Sequence, residues 1–213
     1  MKKAILFLRG GYVTRHLGFY KKLCRGRFTV AVDGGFRFFL KGGITPKLLI
    51  GDFDSVGREL ARVSPRTEVL EFPPEKDWTD TELAVDYCLE QGCRTIGIVQ
   101  PSLGEPDHFL ANVMLLARPG IKADLRLLSP QYEMRCLTNG RWNLSGAAGA
   151  LVSVLPLSDS IRLTSKGTEY DVVRERIERG SSRATRNRIV ASRAAIEVRG
   201  RGLVYVRYPR SRD

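Results

Sequence analysis

The stretch TVAVDGGFRFFLKGGITPKLLIGDFDS, residues 29–55, contains two short apolar runs that each end in acidic residues. We predict strands over 29–32 and 48–50, because both runs are β-branched or leucine-rich and end near glycine or aspartate. The residues between the two runs are predicted to be helical. A strand, a helix and another strand in this order are typical of a parallel sheet, which binds ligands outside the carboxyl ends of its strands.

The same alternation continues on both sides of this stretch. Further strands are predicted over residues 4–8, 68–72, 95–99 and 124–128. The clearest helix begins at Thr79, because Thr79-Asp80-Thr81-Glu82 is a capping box followed by an apolar stripe at helical spacing. Another helix is predicted over 107–117. Residues 1–129 therefore predict an α/β domain with a parallel, Rossmann-like sheet.

The pattern changes after about Ser129. Short β-type runs are separated by Gly, Pro, Asn and Ser, and no long helical pattern follows. Strands are predicted over 133–138, 150–155, 160–164, 169–173, 194–198 and 203–208. Residues 130–213 therefore predict an antiparallel, all-β domain.

The charge of the chain suggests one alternative class of function. The 213 residues carry a net charge of +12, and the last 40 residues hold twelve arginines against four acids, a net +8. A basic face of this kind suits nucleic-acid binding through phosphate contacts. No C2H2 pattern or aromatic RNP-like strand accompanies the charge, so nucleic-acid binding is the weaker prediction.

Membrane insertion and export are not indicated by the sequence. No apolar run approaches the ~20 residues that cross a bilayer, and the short run after Lys3 is predicted to be a strand instead of a signal peptide. The four cysteines form no C-x-x-C pair, which argues against a zinc site or a disulfide framework. We predict a reducing, cytoplasmic location.

Acidic residues gather where the predicted strands end. Asp33 follows one strand, beside Gly34 and Gly35, whose missing side chains let backbone approach a ligand. Asp52 and Asp54 follow the next strand, and their spacing puts both side chains on one side of an extended segment. Asp77 and Asp80 lie near the start of the capped helix. Carboxylates that converge in this way repel one another unless a cation is bound, and Mg2+ holding substrate phosphates is the expected cation.

Each aspartate also has a simpler interpretation when it is taken alone. Asp33 or Asp77 is typical of a turn or a helix cap, and Asp80 suits the positive end of a helix dipole. The pair Asp52 and Asp54 is harder to explain by packing, because two carboxylates rarely crowd together. Taken together, the five acids favour a metal–phosphate site.

These segments closely resemble the motifs of thiamine pyrophosphokinases. The similarity covers Asp33-Gly34-Gly35, Gly51-Asp52-Phe53-Asp54-Ser55 and residues 72–84, and it continues in residues 104–112 and 164–170. It implies an N-terminal α/β domain, a C-terminal β-sandwich and a homodimer with shared active sites. It also implies an enzyme that uses Mg2+ and transfers pyrophosphate from ATP to the hydroxyethyl group of thiamine.

The resemblance implies roles for individual residues. The metal ligands would be Asp33, Asp52, Asp54 and Asp80. Asp54 or Asp80 would also accept the proton of the substrate hydroxyl, which makes these two the catalytic candidates. The expected ATP-binding residues are Gly34, Lys76, Asp77, Asp107, His108 and Asn112. The expected thiamine-binding residues are Ser182, Arg186 and Asn187.

Two departures from the family pattern bear on the substrate. Glu105 occupies a position where the family has arginine, and Arg186 occupies one where a small hydroxyl residue is expected. A guanidinium beside the cationic thiazolium of thiamine is electrostatically unfavourable. A second interpretation therefore keeps the fold and the chemistry but assigns another heterocyclic alcohol, such as a hydroxymethyl pterin, as the acceptor.

Overall fold

A computed structural model of the chain describes residues 2–101 and 104–209, and the chain divides into two compact units between Pro130 and Gln131. In the described part of the first unit, most strands alternate with α-helices, as the sequence predicts, and a 3-10 helix (Gly57–Arg62) lies between the third and fourth strands. In chain order these are β1 (Lys2–Phe7), α1 (Leu17–Cys24), β2 (Phe28–Val32), α2 (Phe36–Gly42), β3 (Leu48–Gly51), β4 (Glu68–Glu71), α3 (Asp80–Glu90), β5 (Cys93–Val99), α4 (Pro106–Leu115) and β6 (Asp124–Leu128).

The strands of the first unit form a parallel sheet in the order β6-β5-β1-β2-β3-β4. From β1 the chain moves outward in one direction as far as β4, and it then returns to place β5 on the other side of β1. The crevice at the carboxyl ends of β1 and β5 is thus the point where strand order reverses. Ligands of open α/β sheets bind at such points.

Burial and capping explain why these segments take these forms. The middle of β1 and β3 is almost completely buried, including Ile5, Phe7 and Leu49, as expected for parallel strands covered on both faces. The predicted start of α3 is confirmed, because the Glu82 amide donates to Thr79 Oγ1 at 3.2 Å. The longest helix of the described residues, α3, has 11 residues, and none is long and apolar enough to span a membrane.

An aromatic cluster supports the carboxyl end of β1. The rings of Phe7 and Phe38 are stacked with centroids 4.2 Å apart, and Phe39 and Tyr20 contact Phe7 edge-on. All four side chains are buried. Because Phe38 and Phe39 belong to α2, this packing fixes that helix, and the turn that precedes it, against the end of β1.

The described residues of the second unit form β-strands without a helix. They are β7 (Tyr132–Ser145), β8 (Leu151–Pro156), β9 (Ser160–Lys166), β10 (Glu175–Glu178), β11 (Asn187–Arg188) and β12 (Arg193–Arg207). One edge of β12 pairs with β7 along most of its length, and the other edge pairs first with β9 and then with β8. Side chains from β8, β9 and β12 fill one common core, so the unit is the β-sandwich that the sequence analysis expects.

Four strand predictions in this unit need correction. The predicted strands 194–198 and 203–208 are one strand, β12, which stays extended through a bulge near Gly200 (φ 100°). The predicted strand 133–138 extends to Ser145. The predicted strand 169–173 is wrong: Asp171 accepts hydrogen bonds from the Gly167 and Thr168 amides at 3.1 and 2.8 Å, and this closes a loop instead.

Candidate active site

Two neighbouring strands of the first unit bring three carboxylates together. Asp33 follows β2 directly, and Asp52 and Asp54 follow β3. Because β2 and β3 are adjacent and parallel, their carboxyl ends meet at one edge of the sheet. Carboxylate oxygens of Asp33, Asp52 and Asp54 lie within 4.8 Å of one another. The residues that the sequence places at strand ends are therefore close enough to share a cation.

Glycines allow the chain to pack tightly around this cluster. A Cβ at Gly51 (φ +153°) would lie 3.0 Å from Asp33 Cβ, and one at Gly35 would lie 1.8 Å from the Phe7 carbonyl oxygen. Gly34 is buried and does not line the cleft described below; a Cβ there would lie 2.9 Å from Ser55 Oγ. The glycines thus let segments of the protein, including the turn that carries Asp33, approach one another closely.

Two features of Asp33 favour cation binding. Ser55 Oγ donates to Asp33 Oδ2 at 2.6 Å, whereas Asp33 Oδ1 is buried and has no hydrogen-bond partner among the described residues. Its backbone has a φ of 44°, which is uncommon for a residue other than glycine. Burying a charged oxygen without a partner costs free energy, and a hard cation would offset that cost. The oxygen donors of this cluster therefore fit Mg2+.

Lys76 lies between Asp52 and one further carboxylate, Asp80. Its Nζ is 3.2 Å from Asp52 Oδ2 and 3.2 Å from Asp80 Oδ1. Burial lowers the pKa of Lys76, but these two carboxylates outweigh burial and raise its pKa above the usual value. The ammonium group therefore remains charged and holds both aspartates.

Asp52 and Asp80 respond differently to this environment. Burial raises the pKa of Asp52, but hydrogen bonds from the Asp54 amide and Lys76 outweigh it, so the pKa lies below the usual value. Burial also raises the pKa of Asp80, Lys76 offsets only part of this, and the carboxylates of Asp52 and Asp33 raise it further. Asp52 is thus the more strongly ionised acid.

A cleft of about 670 Å³ opens over these residues. This volume is typical of sites for small ligands and cofactors. Eight of the predicted site residues line the cleft: Asp33, Asp52, Asp54, Lys76, Asp77, Asp80, His108 and Asn112. Asn112 is buried and donates to Gln100 Oε1 at 3.3 Å, whereas Asp77 and His108 are exposed. Asp107 lies outside the lining, and its Oδ1 accepts the His108 amide at 2.8 Å at the start of α4.

Two polar residues at strand ends line the cleft but are absent from the predicted site, Arg9 and Gln100. Arg9 lies just beyond β1, and Gln100 directly follows β5. The signal was present, because both residues follow predicted strands in the same way that Asp33 and Asp52 do. Considering every polar residue at a strand end, and not only the acids, would have found them.

The second unit contains a cavity of about 410 Å³ with mainly apolar walls. Arg186 and Asn187 line it, and Ser182 does not. Asn187 makes two hydrogen bonds to the backbone of Tyr170: its Nδ2 donates to the carbonyl at 2.7 Å, and its Oδ1 accepts from the amide at 3.2 Å. Arg186 has a φ of 57°, and its amide donates to Ser153 Oγ at 2.9 Å. Asn187 thus holds the cavity wall in place.

Comparisons with known proteins match both units of the chain. A family model described as "Thiamin pyrophosphokinase, catalytic domain" matches residues 20–128, about half of the chain. A second model, "Thiamin pyrophosphokinase, vitamin B1 binding domain", matches residues 141–201. The first match contains most of the acidic cleft, and the second contains the residues around the apolar cavity.

Individual relatives agree with these models. The thiamine pyrophosphokinase of Bacillus subtilis (strain 168) is 31% identical over 186 residues, which are 84% of this chain and 86% of that protein. A crystal structure of thiamine pyrophosphokinase from Bacillus subtilis has a TM-score of 0.82 at 28% identity, covering 97% of this chain and 99% of its own. One from Geobacillus thermodenitrificans has a TM-score of 0.79 at 28% identity, covering 100% and 99%. The chain belongs to the thiamine pyrophosphokinase family.

Proposed function

We propose that the chain transfers the pyrophosphoryl group of ATP to the hydroxyethyl group of thiamine in the presence of Mg2+, giving thiamine diphosphate and AMP. The observation that carries this proposal is the group of carboxylate oxygens of Asp33, Asp52 and Asp54 within 4.8 Å of one another at the carboxyl edge of the sheet. The relatives named as thiamine pyrophosphokinases support the choice of substrates.

Asp33, Asp52 and Asp54 would hold Mg2+. The carboxylate of Asp80 interacts electrostatically with Asp33 and Asp52, and its negative charge would strengthen the attraction of this site for a cation. When bound there, Mg2+ would neutralise charge on the phosphate oxygens of ATP. The unpartnered Asp33 Oδ1 supports this assignment, because a bound cation would supply the partner it lacks. Lys76 keeps Asp52 and Asp80 in place and remains charged.

In the proposed reaction the hydroxyl oxygen of thiamine forms a bond to the β-phosphorus of ATP. The bond from the β-phosphorus to the oxygen that bridges the α- and β-phosphates breaks, and AMP leaves with that oxygen. The hydroxyl proton passes to a carboxylate, for which Asp54 and Asp80 are the candidates. Asp54 is exposed to the cleft, and the raised pKa of Asp80 suits proton transfer, because a base works best with a pKa near the working pH.

We propose that thiamine binds in the apolar cavity of the second unit. Glu175 lines this cavity, its side chain is 26% exposed, and it contacts the more exposed Arg183. A half-buried carboxylate is a suitable counter-ion for the positive thiazolium ring. Asn187 would act by holding the Tyr170 loop, which forms part of the cavity wall.

The position of Arg186 favours a second candidate for the acceptor substrate, in place of thiamine. Its presence in the cavity lining adds a positive charge next to the proposed thiamine site. A neutral heterocyclic alcohol such as a hydroxymethyl pterin would not be repelled by that charge. The fold and the acidic cleft are the same under both assignments, so the acceptor alone distinguishes them.

We also propose a homodimer that works in the cytoplasm. Leu110 and Met114 lie four residues apart on α4 and are 56% and 54% exposed, as expected for an apolar face that another subunit covers. Light scattering of the purified protein tests the dimer. The four cysteines are free thiols, which suits a reducing compartment.

The proposal is tested by AMP formation from ATP and Mg2+ with thiamine, with a hydroxymethyl pterin or without an acceptor. We expect AMP with thiamine, and loss of this activity by about a hundredfold or more in Asp54→Asn. The matched control is Asp159→Asn, because Asp159 is an exposed aspartate of the second unit. AMP with the pterin alone would replace the proposed acceptor, and no AMP with any acceptor would contradict the proposed chemistry.

A further inference from the structure

The acidic cleft of the first unit contains more negative than positive side chains. Among the described residues, six carboxylate residues line it: Asp33, Asp52, Asp54, Asp77, Asp80 and Glu105. The lysine and arginine residues of this described lining are Lys76 and Arg9. A triphosphate entering this cleft adds several negative charges, so its binding requires positive charge that the protein or a metal supplies.

Lys76 is already engaged by the protein. Its ammonium contacts Asp52 and Asp80, both at 3.2 Å, and it also donates to the Pro73 carbonyl at 3.1 Å. Two of these contacts are hydrogen bonds, to Asp52 Oδ2 and to the Pro73 carbonyl, and the contact with Asp80 is an ion pair without a hydrogen bond. The charge of Lys76 is therefore balanced by two carboxylates of the acidic cluster, which weakens its attraction for phosphate in this arrangement.

Arg9 is different. Within the described residues its guanidinium forms neither an ion pair nor a hydrogen bond. Arginine keeps its charge at all working pH values, and its planar group matches two phosphate oxygens at once. Arg9 is thus the cation of this cleft that is free to bind an anion.

The position of Arg9 is set by the strands around it. It lies two residues beyond the end of β1, beside the crevice where strand order reverses, and the adjacent Leu8 amide donates to the Val99 carbonyl of β5 at 3.1 Å. Its aliphatic stem passes over Gly34: a Cβ at that glycine would lie 3.0 Å from Arg9 Cγ. Gly34 follows Asp33 directly, so the stem of Arg9 lies beside the turn that carries the acidic cluster.

We propose that Arg9 binds the phosphate chain of the nucleotide and is a substrate-binding residue of the reaction. This inference rests on the proposed function and adds to it a residue outside the acidic motifs. Under this proposal the cleft divides its two cations between two tasks. Lys76 organises the carboxylates, and Arg9 binds the phosphate oxygens.

The test measures binding of α,β-methylene ATP by calorimetry in the presence of Mg2+, because this analogue lacks the bond that the reaction breaks. We expect Arg9→Gln to weaken binding roughly 10- to 100-fold, the usual effect of losing a hydrogen bond between charged groups. Arg9→Lys keeps the charge but not the planar group, and we expect an intermediate loss. Binding of adenosine, which has no phosphate, should be the same in all three proteins.

Arg94→Gln is the matched control. Arg94 is also exposed, but it lies near the start of β5, away from the carboxyl ends that form the cleft. An unchanged thermal unfolding midpoint in Arg9→Gln would show that the variant is folded. The KM for ATP should rise in this variant, and the KM for thiamine should not.

Two results would overturn the inference, and they have different meanings. If Arg9→Gln and the wild type bind the analogue equally, Arg9 does not bind phosphate, and the proposed function is unaffected. If the wild type itself does not bind the analogue with Mg2+, the proposed function fails together with the role of Arg9.

Discussion

Asp52 and Asp80 both contact Lys76, yet the pKa values of their carboxyl groups are displaced in opposite directions. The pKa of Asp52 lies below its usual value, because two hydrogen bonds outweigh burial. The pKa of Asp80 lies above it, because burial and the neighbouring carboxylates outweigh Lys76. Without a bound cation, a negative charge on Asp80 is therefore less favourable in the folded protein than one on Asp52.

This difference predicts how Asp80→Asn affects stability. A raised folded-state pKa means that the folded protein binds this proton more tightly than the unfolded chain does. The contribution of Asp80 to stability is therefore lost as the pH rises through the interval between its unfolded and folded pKa values. At neutral pH without Mg2+ we expect Asp80→Asn to be more stable than the wild type, with each 1 kcal/mol gained raising Tm by about 2–4 °C.

Thermal unfolding at neutral and at acidic pH checks this prediction. The difference in Tm between Asp80→Asn and the wild type should be smaller at acidic pH, because Asp80 of the wild type is then protonated and uncharged like asparagine. Asp159→Asn is again the control, because Asp159 is 91% exposed and its replacement should leave Tm nearly unchanged. A lower Tm for Asp80→Asn at neutral pH would show that its contact with Lys76 outweighs burial.

At the scale of elements, the turn between β2 and α2 depends on a glycine. A Cβ on Gly35 would lie 1.8 Å from the Phe7 carbonyl oxygen, which belongs to the backbone of β1 and cannot move aside easily. We expect Gly35→Ala to lower the free energy of unfolding by about 1–3 kcal/mol, as overpacking usually does. Activity should fall as well, because this turn carries Asp33.

Chemical denaturation of Gly35→Ala beside Gly18→Ala measures this effect. Gly18 lies in α1, and a Cβ there would meet no atom within 4 Å. Gly18→Ala should therefore be neutral or stabilising by up to about 1 kcal/mol, since alanine favours helix more than glycine does. Equal stability of the two variants would mean that the approach of Gly35 to β1 is not tight.

In the second unit, Asn187→Ala tests the wall of the apolar cavity. The change removes two hydrogen bonds to the Tyr170 backbone, with an expected cost of about 1–2 kcal/mol in stability. If thiamine binds in this cavity, its KM should rise while the KM for ATP stays the same. Asn143→Ala is the control, because Asn143 is an exposed asparagine outside the cavity lining. A rise in the KM for ATP alone would contradict the assignment of the cavity.

The elements show why some of the fold was predictable and some was not. The capping box at Thr79 predicts α3 correctly, because its hydrogen bond is local in sequence. The apolar runs of the first unit predict its strands because a strand buried on both faces is recognisable from its own short run of apolar residues. The single strand β12 was predicted as two, because its continuity through Gly200 depends on pairing with β7, β8 and β9, which lie elsewhere in the chain.

The candidate site also has some features that the sequence predicts and others that it does not. The convergence of Asp33 with Asp52 follows from two adjacent parallel strands, which the sequence pattern indicates. The contacts of Lys76 with Asp52 and Asp80 could not be predicted, because they depend on how the loop before α3 folds over the end of β3. The loop around Asp171 was predicted as a strand, since its residues have β-type character and only the hydrogen bonds of Asp171 reveal the turn.

At the scale of the whole molecule, the net charge of +12 is an excess that ion pairs cannot remove, because it already subtracts every acidic residue. Several arginines of the C-terminal part have carboxylate partners, among them Arg176 with Glu178, Arg179 with Asp159, and Arg199 with Glu197. Counting charges in a sequence cannot reveal such pairs. The similarity to thiamine pyrophosphokinases, and not these ion pairs, therefore disfavours a nucleic-acid-binding function.

The two units divide the proposed work between them. The first unit presents clustered carboxylates in a cleft of about 670 Å³, and the second presents a mainly apolar cavity of about 410 Å³. These are complementary environments, one for a metal-bound phosphate chain and one for a heterocycle. Together they suit transfer of a pyrophosphoryl group from a nucleotide to an organic acceptor.

The most direct measurement of this claim identifies both products from the purified protein, ATP, Mg2+ and thiamine by chromatography. We expect AMP and thiamine diphosphate in equal amounts, and neither product when EDTA removes the metal. ADP with thiamine monophosphate would contradict it, because the γ-phosphorus would then be the point of attack. Unchanged ATP and thiamine would contradict the proposal that the chain transfers pyrophosphate from ATP to thiamine.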